Sequence, residues 1–169
     1  MATGKVVGHI HRISQPIATY PQPIIIAGGS TPAERIHAWA FDPSTVEYLD
    51  FLCYLNGYDG GGLTIALAFT AGVTTGNVVW SAAVRRIGDD IEDVDASQTY
   101  DYNNASAKAV ASASREFAYT TIAFTNGADM DSLGTNEWFI LRVRRFASDA
   151  GDTLNSNDAE LIGVVIKET

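Results

Sequence analysis

The sequence has only one cysteine, Cys53, among its 169 residues, so no disulfide can form within the chain. Cys53 lies in an apolar run, which favours packing as a small hydrophobic side chain over reactivity. Long apolar stretches are also missing, because no run approaches the roughly 20 residues that cross a bilayer, and the first residues lack the apolar segment of a signal peptide. We therefore expect a protein that is made and folded in a cytoplasm and has no membrane partner.

Basic residues are scarce. Eleven lysines and arginines stand against 20 acidic residues, which gives a formal net charge of −9. A chain of this sign repels a phosphate backbone, so we expect no direct binding of nucleic acid. The densest basic groups, Arg85 with Arg86 and Arg142 with Arg144 and Arg145, each end an apolar segment. We interpret them as solvated charges at the rims of strands.

Histidines are few as well. His9 and His11 are spaced like the first two ligands of a cupin metal site, but the only other histidine is His37, and no acidic residue follows at usable spacing. A polar edge of an extended segment is the favoured interpretation, and a cupin-like metal enzyme is the third of three hypotheses. No nucleophile elbow and no pair of facing carboxylates is present. We predict no catalytic residue, no metal ligand, no cofactor and no enzymatic activity.

Two acidic turns, residues 89–95 and 126–131, could offer carboxylates to Ca²⁺, yet neither has the spacing or the glycine of an EF-hand loop. Solvated loops are the favoured interpretation. The glycine run 60–62 does not open a helix and has no following Lys-Ser or Lys-Thr, so it predicts a turn or a close backbone approach rather than a phosphate cradle.

The chain does contain strongly alternating apolar segments. In residues 63–70, large side chains alternate with threonine and alanine, which is the period of a β-strand. Similar segments cover residues 6–10, 24–27, 35–41, 46–55, 63–71, 77–87, 99–103, 107–111, 117–125, 137–147 and 159–167. Turn clusters separate them, which predicts an all-β protein, an antiparallel β-sandwich of jelly-roll type.

The alternation also assigns side chains to the core. The predicted core faces are listed strand by strand: Leu49, Phe51, Cys53 and Leu55; Leu63, Ile65, Leu67 and Phe69; Val78, Trp80, Ala82 and Val84; Phe139, Leu141 and Val143; Ile162, Val164 and Ile166.

Residues 1–34 are richer in proline than the rest, and we interpret them as an extended N-terminal arm, with the β-sandwich domain at 35–169. The arm contains the apolar residues Ile10, Ile24, Ile25 and Ile26, which need a cover. We expect them to contact a capsid or a neighbouring subunit by strand addition, and we expect the domain to fold without the arm.

Aromatic residues cluster in the early strands. Trp39, Tyr54 and Tyr58 are therefore candidates for a subunit interface or for glycan contacts, with the interface favoured.

Several runs resemble small tailed-phage virion proteins of a jelly-roll type. They are residues 35–41, 47–51, 58–63, 76–80, 139–145 and 158–161. The resemblance implies a structural protein on the virion surface, a capsid decoration (cement) protein that binds the major capsid protein and itself, as a homotrimer. A tail or head fibre, a receptor-binding module or a carbohydrate-binding module of the same fold is the alternative.

Overall fold

The computed structural model describes residues 4–90 and 92–169. The strands are β1 (Val6–Ser14), β2 (Gln22–Gly28), β3 (Glu34–Phe41), β4 (Tyr48–Leu55), β5 (Leu63–Thr70), β6 (Asn77–Val78), β7 (Trp80–Ile87), β8 (Asn103–Asn104), β9 (Lys108–Ala109), β10 (Ala118–Phe124), β11 (Trp138–Arg145) and β12 (Ala159–Glu168). One turn of 3-10 helix covers Ala128–Met130. No helix within the described ranges has the length and apolar character to cross a membrane. The predicted all-β antiparallel sandwich of jelly-roll type is confirmed.

Ten strands form one antiparallel sheet. Its order is β10-β5-β12-β1-β4-β11-β7-β8, and β3 pairs with one end of β12 and with β2; β6 and β9 pair separately. The sheet curls, so its end strands approach each other: the Asn103 amide donates a 2.8 Å hydrogen bond to the carbonyl of Ala123 in β10. The core lies between the two halves. There Trp80 packs on Phe41 and Phe69, with ring centroids 5.0 and 5.6 Å apart.

The predicted core faces of β4, β5, β7 and β11 are confirmed, together with Val78 in β6. Their apolar members are at most 6% exposed, and most are completely buried. Cys53 lies among them as a free thiol, and burial raises its pKa to about 12, which keeps it protonated at neutral pH. In β4 and β11 burial alternates strictly because each strand presents one face to the interior, whereas in β5 and β7 most of the other face is covered as well.

The last strand departs from the prediction. Leu161 and Ile166 are buried at 2% and 1% exposure, whereas Ile162 is only half-buried and Val164 is partly buried against the core. A β-bulge between Leu161 and Gly163 shifts the pairing of β12 with β5 and breaks the alternation. A bulge leaves no mark in the apolar pattern on which the prediction depended.

The N-terminal segment is not a free arm. β1 pairs with β12 on one side and with β4 on the other, and Val7 is completely buried in the core. β2 forms a hairpin with β3, from Gln22 opposite Ala40 to Gly28 opposite Glu34. The predicted boundary at residue 35 therefore falls inside this hairpin. Residues 1–3 of the predicted arm lie outside the described residues. The prolines suggested an arm, and the apolar pattern did not reveal the pairing because β1 has few buried side chains, although its backbone is paired on both sides.

The glycine run at 60–62 is a turn with a close backbone approach, as predicted. Gly62 has φ +108°, and a Cβ there would lie 2.6 Å from the carbonyl oxygen of Phe124. The Tyr58 hydroxyl accepts a 2.9 Å hydrogen bond from the Gly62 amide and lies 3.2 Å from Asn126 Oδ1. Tyr58 is only 8% exposed, and burial is the main cause that raises its pKa. Tyr58 therefore stabilises the turn through its hydroxyl and packs in the core through its ring.

The arginines are not rim charges, contrary to the expectation from sequence. Arg145 is completely buried and pairs with Asp152 through two hydrogen bonds of 2.7 and 3.0 Å. Its remaining donors reach the carbonyls of Phe41, Leu154 and Asn157. Arg85 is only 7% exposed. A strand-end arginine can therefore face either side of the sheet, and its partners come from the following loop as well as from a distant strand.

Candidate functional site: a groove on the outer face of the sheet

The outer face of β4, β11 and β7 carries a row of polar and aromatic side chains. In β11, Phe139, Leu141 and Val143 point into the core, so the alternate residues Trp138, Ile140, Arg142 and Arg144 point outward. The neighbouring strands put Asp50 opposite Arg142, Tyr54 opposite Trp138 and Arg85 opposite Ile140. This row lies on the face of the strands opposite the predicted core face.

A cavity of about 470 Å³ lies over the middle of this row. Leu52, Ile87 and Ile140 supply an apolar floor, and Arg12 of β1 closes one side. The segment that follows β7 forms the opposite wall through Gln98 and Tyr100, among others. An open concavity with an apolar floor and a few polar groups is the usual form of a small-molecule site. We call it the arginine groove, defined by Arg12, Arg85 and Arg142.

Arg142 fixes one wall of the arginine groove. Its Nε and Nη2 donate hydrogen bonds of 2.6 and 2.7 Å to the two carboxylate oxygens of Asp50. Its guanidinium also lies over the Tyr100 ring, 3.9 Å from the centroid. Burial opposes its charge, but the hydrogen bonds and the attraction of Asp50 outweigh that effect and raise the pKa of Arg142. Arg142 therefore stays charged and holds Tyr100, and with it the loop, against the sheet.

Arg144 and two tyrosines extend this arrangement beyond the cavity. The guanidinium of Arg144 lies 3.8 Å from the centroid of Tyr102, whose ring is 6.3 Å from those of Tyr48 and Tyr100. Burial raises the pKa of Tyr102 to about 12, although Arg142 and Arg144 act in the opposite direction. We predicted a strand at 99–103, but the structure has one only at Asn103–Asn104, because Tyr100 and Tyr102 pack on arginines of the neighbouring face instead.

An aromatic cluster stands at the other end of the row. Trp138 contacts Tyr54 and His11, with ring centroids 5.1 and 4.7 Å apart. Trp138 is 40% exposed, so part of its ring is open to a ligand while its neighbours fix its orientation. Trp138 borders a second hollow that shares Ile87 with the arginine groove. The cluster and the groove therefore form one continuous surface.

Arg85 is the unusual member of the groove. It is 7% exposed, and its Nε and Nη1 atoms are buried without a hydrogen-bond partner. Buried polar atoms almost always have partners, so two unpartnered donors on one buried cation need an explanation. Arg144 Nε is likewise unpartnered, but that guanidinium stacks on Tyr102 and Phe146.

The three predicted aromatic candidates lie in three different parts of the structure. Tyr54 belongs to the cluster with Trp138, and Tyr58 is buried in the core. Trp39 lines a different, apolar cleft of about 320 Å³, together with Ile10, Ile13 and others. This cleft lies where β12 changes its partner from β3, at residues 159–161, to β1, at residues 166 and 167.

The predicted arm contacts also lie near that cleft or beyond it. Ile10 is 38% exposed and lines the cleft, so it shares a site with Trp39. Ile24 and Ile26 are half-buried in the hairpin, and Ile25 is 51% exposed on its other face. Pairing within the hairpin uses the main chain of all three isoleucines, from Ile24 opposite Ala38 to Ile26 opposite Ile36.

The acidic turns and the histidines form no metal centre in the part of the chain that the structure describes, where no group of three suitable ligands occurs. Asp129 Oδ2 accepts hydrogen bonds from Thr125 and Asn103, and Asp131 Oδ2 accepts one from the Arg86 amide. These carboxylates brace turns. Ile91, in the first acidic turn, lies outside the described residues.

The groove offers a concave surface for a ligand, but its described lining contains no pair of free carboxylates for catalysis. Among the described residues, Asp50 is the one carboxylate that lines the cavity, and Arg142 occupies both of its oxygens. Sequence reasoning missed Trp138, Arg85, Arg142 and Tyr100 as site residues. The signal for two of them was present: Trp138 and Arg142 occupy the face of β11 opposite the correctly predicted core face.

Comparison with known proteins gives little beyond the fold. No family model matches the chain, and no curated protein matches it. A solved structure to which it is similar is the CBM22-1 xylan-binding domain of Xyn10C from Paenibacillus barcinonensis, with 10% sequence identity and a TM-score of 0.47 over 99% of this chain and 96% of that one. These values do not carry that domain's ligand over to this chain. The resemblance to virion proteins gains no support here and stays a prediction.

Proposed function

We propose that the chain is a non-enzymatic carbohydrate-binding module whose ligand lies along the outer face of β4, β11 and β7. The observation that carries the proposal is the continuous surface from Trp138 to Tyr100, with the arginine groove between them. The apolar face of a sugar ring packs well on a flat aromatic side chain, and the hydroxyl groups around its edge need hydrogen-bond partners. This surface offers both.

Pre-organisation supports the proposal. Tyr54 and His11 fix the ring of Trp138, and Arg142 fixes that of Tyr100. A side chain that is already held in place loses little conformational entropy when a ligand binds. An exposed tryptophan on a rigid strand is therefore a better anchor than one on a mobile loop.

Replacing Trp138 with alanine tests this assignment. We expect Trp138→Ala to weaken binding to any polysaccharide that the chain recognises by about 2 kcal/mol, or roughly 30-fold, because the stacking surface is lost. Phe117→Ala is the matched control, since Phe117 is also 40% exposed but lies beside β10, away from the groove. Affinity electrophoresis against a polysaccharide panel, followed by calorimetry, measures both variants. Equal loss in the two variants, or no binding by the parent chain, would contradict the proposal.

A second candidate is the virion role that the sequence resemblance implies, as a capsid decoration protein or a fibre component. The observation that favours it is the set of exposed apolar side chains at the apolar cleft and on the adjoining face of the hairpin: Ile10 at 38%, Ile13 at 45% and Ile25 at 51% exposure. Such a patch suits burial against a major capsid protein or against copies of this chain in a homotrimer. The mass of the free protein in solution tests the trimer, and a monomer at micromolar concentration would count against it.

A further inference from the structure

The charge of Arg85 is the feature of the groove that a neutral ligand leaves unexplained. Arg85 is 7% exposed, lines the 470 Å³ cavity and has two buried donors, Nε and Nη1, without partners. It takes part in none of the ion pairs found within the described residues. Burying a cation is costly unless a charged or strongly accepting partner compensates it, so a ligand that brings negative charge into the groove gains from Arg85.

The other charges of the groove do not supply that partner. Asp50 is fully engaged by Arg142, and Arg12 adds a second cation without an ion pair on the opposite side of the cavity. Arg85 also borders a smaller hollow lined by four carboxylates, those of Glu92, Asp101, Asp129 and Asp131. Three of them accept hydrogen bonds from other groups, and none of the four forms an ion pair with Arg85 among the described residues. The groove thus carries excess positive charge in a chain whose net charge is −9.

We infer that the groove selects acidic sugars, and that Arg85 and Arg12 bind the carboxylate of a uronic acid residue. This inference rests on the proposed carbohydrate-binding function and names its ligand class. A carboxylate accepts charge-assisted hydrogen bonds from a guanidinium, and Arg85 has two donors, Nε and Nη1, that no described group of the chain engages. A neutral hydroxyl group would leave the charge of Arg85 uncompensated.

Matched pairs of polymers test the inference. Polygalacturonate, alginate and hyaluronan are each compared with their carboxyl-reduced derivatives, which keep the chain and the hydroxyl groups but lose the charge. We expect at least one acidic polymer to bind roughly tenfold or more tightly than its reduced partner, as hydrogen bonds between charged groups imply. The binding of that polymer should also weaken as salt concentration rises.

Three variants test whether the preference for the acidic polymer arises in the groove. Arg85→Gln should abolish most of the preference for the acidic polymer over its reduced partner. Arg12→Gln, an exposed site on β1, should reduce the preference and keeps the test open if Arg85→Gln does not fold. Arg35→Gln, an exposed arginine on the hairpin, is the control and should bind as the parent does.

The outcomes separate the two proposals. Equal binding of acidic and reduced polymers, with Arg85→Gln and Arg12→Gln unchanged, would overturn the choice of acidic sugars and leave the carbohydrate-binding function standing. An acidic preference that Arg35→Gln reduces as much as Arg12→Gln does would show that net charge, and not the groove, causes it. If neither form of any polymer binds, and neutral polysaccharides do not bind either, the proposed function itself fails.

Discussion

At the scale of single residues, Arg142 and Arg145 show how position on a strand decides what an arginine does. They lie three residues apart on β11, and therefore on opposite faces of the sheet. Arg145 points inward, where Asp152 and three carbonyls satisfy its donors, and so it joins the ends of β3 and β11 to the loop before β12. Arg142 points outward and organises the groove. The first arginine stabilises the fold, and the second prepares a binding surface.

The pair of Arg115 and Glu160 offers a pH test at the same scale. Glu160 is 5% exposed, and Arg115 Nη1 lies 2.8 Å from its Oε1. Burial raises the pKa of the Glu160 carboxyl, Arg115 acts against that rise, and Asp158 adds to it. Replacing Arg115 with glutamine should raise this pKa further in the folded protein. The folded state then binds a proton that the unfolded state releases, so the variant loses stability as pH rises above about 4.5.

We expect Arg115→Gln to lower the free energy of unfolding by about 1 kcal/mol at pH 7, a modest value because the arginine is 44% exposed, and to match the parent near pH 4. Urea denaturation at several pH values measures the difference. Adding Glu160→Gln removes the titrating group, so the effect of Arg115→Gln should then no longer depend on pH. A deficit of equal size at pH 4 and pH 7 would show that the pair does not act through this charge.

At the scale of elements, β1 is an interior strand of the sheet. It joins the two halves of the curled sheet because it pairs with β12 and with β4. Its removal would expose the edges of both strands and open the core beside Val7. The hairpin of β2 and β3 is different, since among the described residues β2 pairs only with β3, and a Cβ added at Gly28 or Gly29, at its tip, would meet no atom within 4 Å.

A chain that begins at Arg35 should therefore fail to fold, contrary to the expectation from sequence. Circular dichroism and amide dispersion in NMR spectra should show the loss of the native sheet. The control replaces residues 29–33, the hairpin tip, with Asn-Gly, which suits a two-residue β-hairpin. That variant should keep cooperative unfolding. A folded truncated chain, with the dispersion of the parent, would contradict the role assigned to β1.

The sequence predicted what depends on local alternation. The core faces of β4, β5, β7 and β11 followed from period 2, because each side chain's direction is set within its own strand. The bulge at Leu161 and the pairing of β1 did not follow, since both depend on partners elsewhere in the chain. The groove could not be predicted from the sequence for the same reason. Asp50 and Arg142 are 92 residues apart in sequence, and only the sheet brings them together.

At the scale of the whole molecule, the groove and the apolar cleft lie on different parts of the sheet. Trp138 belongs to the groove surface, Trp39 lines the cleft, and Trp80 is buried in the core. These are the only three tryptophans in the sequence. Each indole N–H therefore reports on one region: the proposed binding surface, the alternative surface and the interior.

The most direct test of the account is a titration with the recognised polysaccharide, followed through the three indole N–H signals in a ¹H–¹⁵N spectrum. Single Trp→Phe variants at positions 39, 80 and 138 assign the signals. Carbohydrate binding on the outer face of β4, β11 and β7 predicts that the Trp138 signal shifts with saturation, while those of Trp39 and Trp80 stay in place. A shift confined to Trp39 would move the site to the apolar cleft and contradict the account.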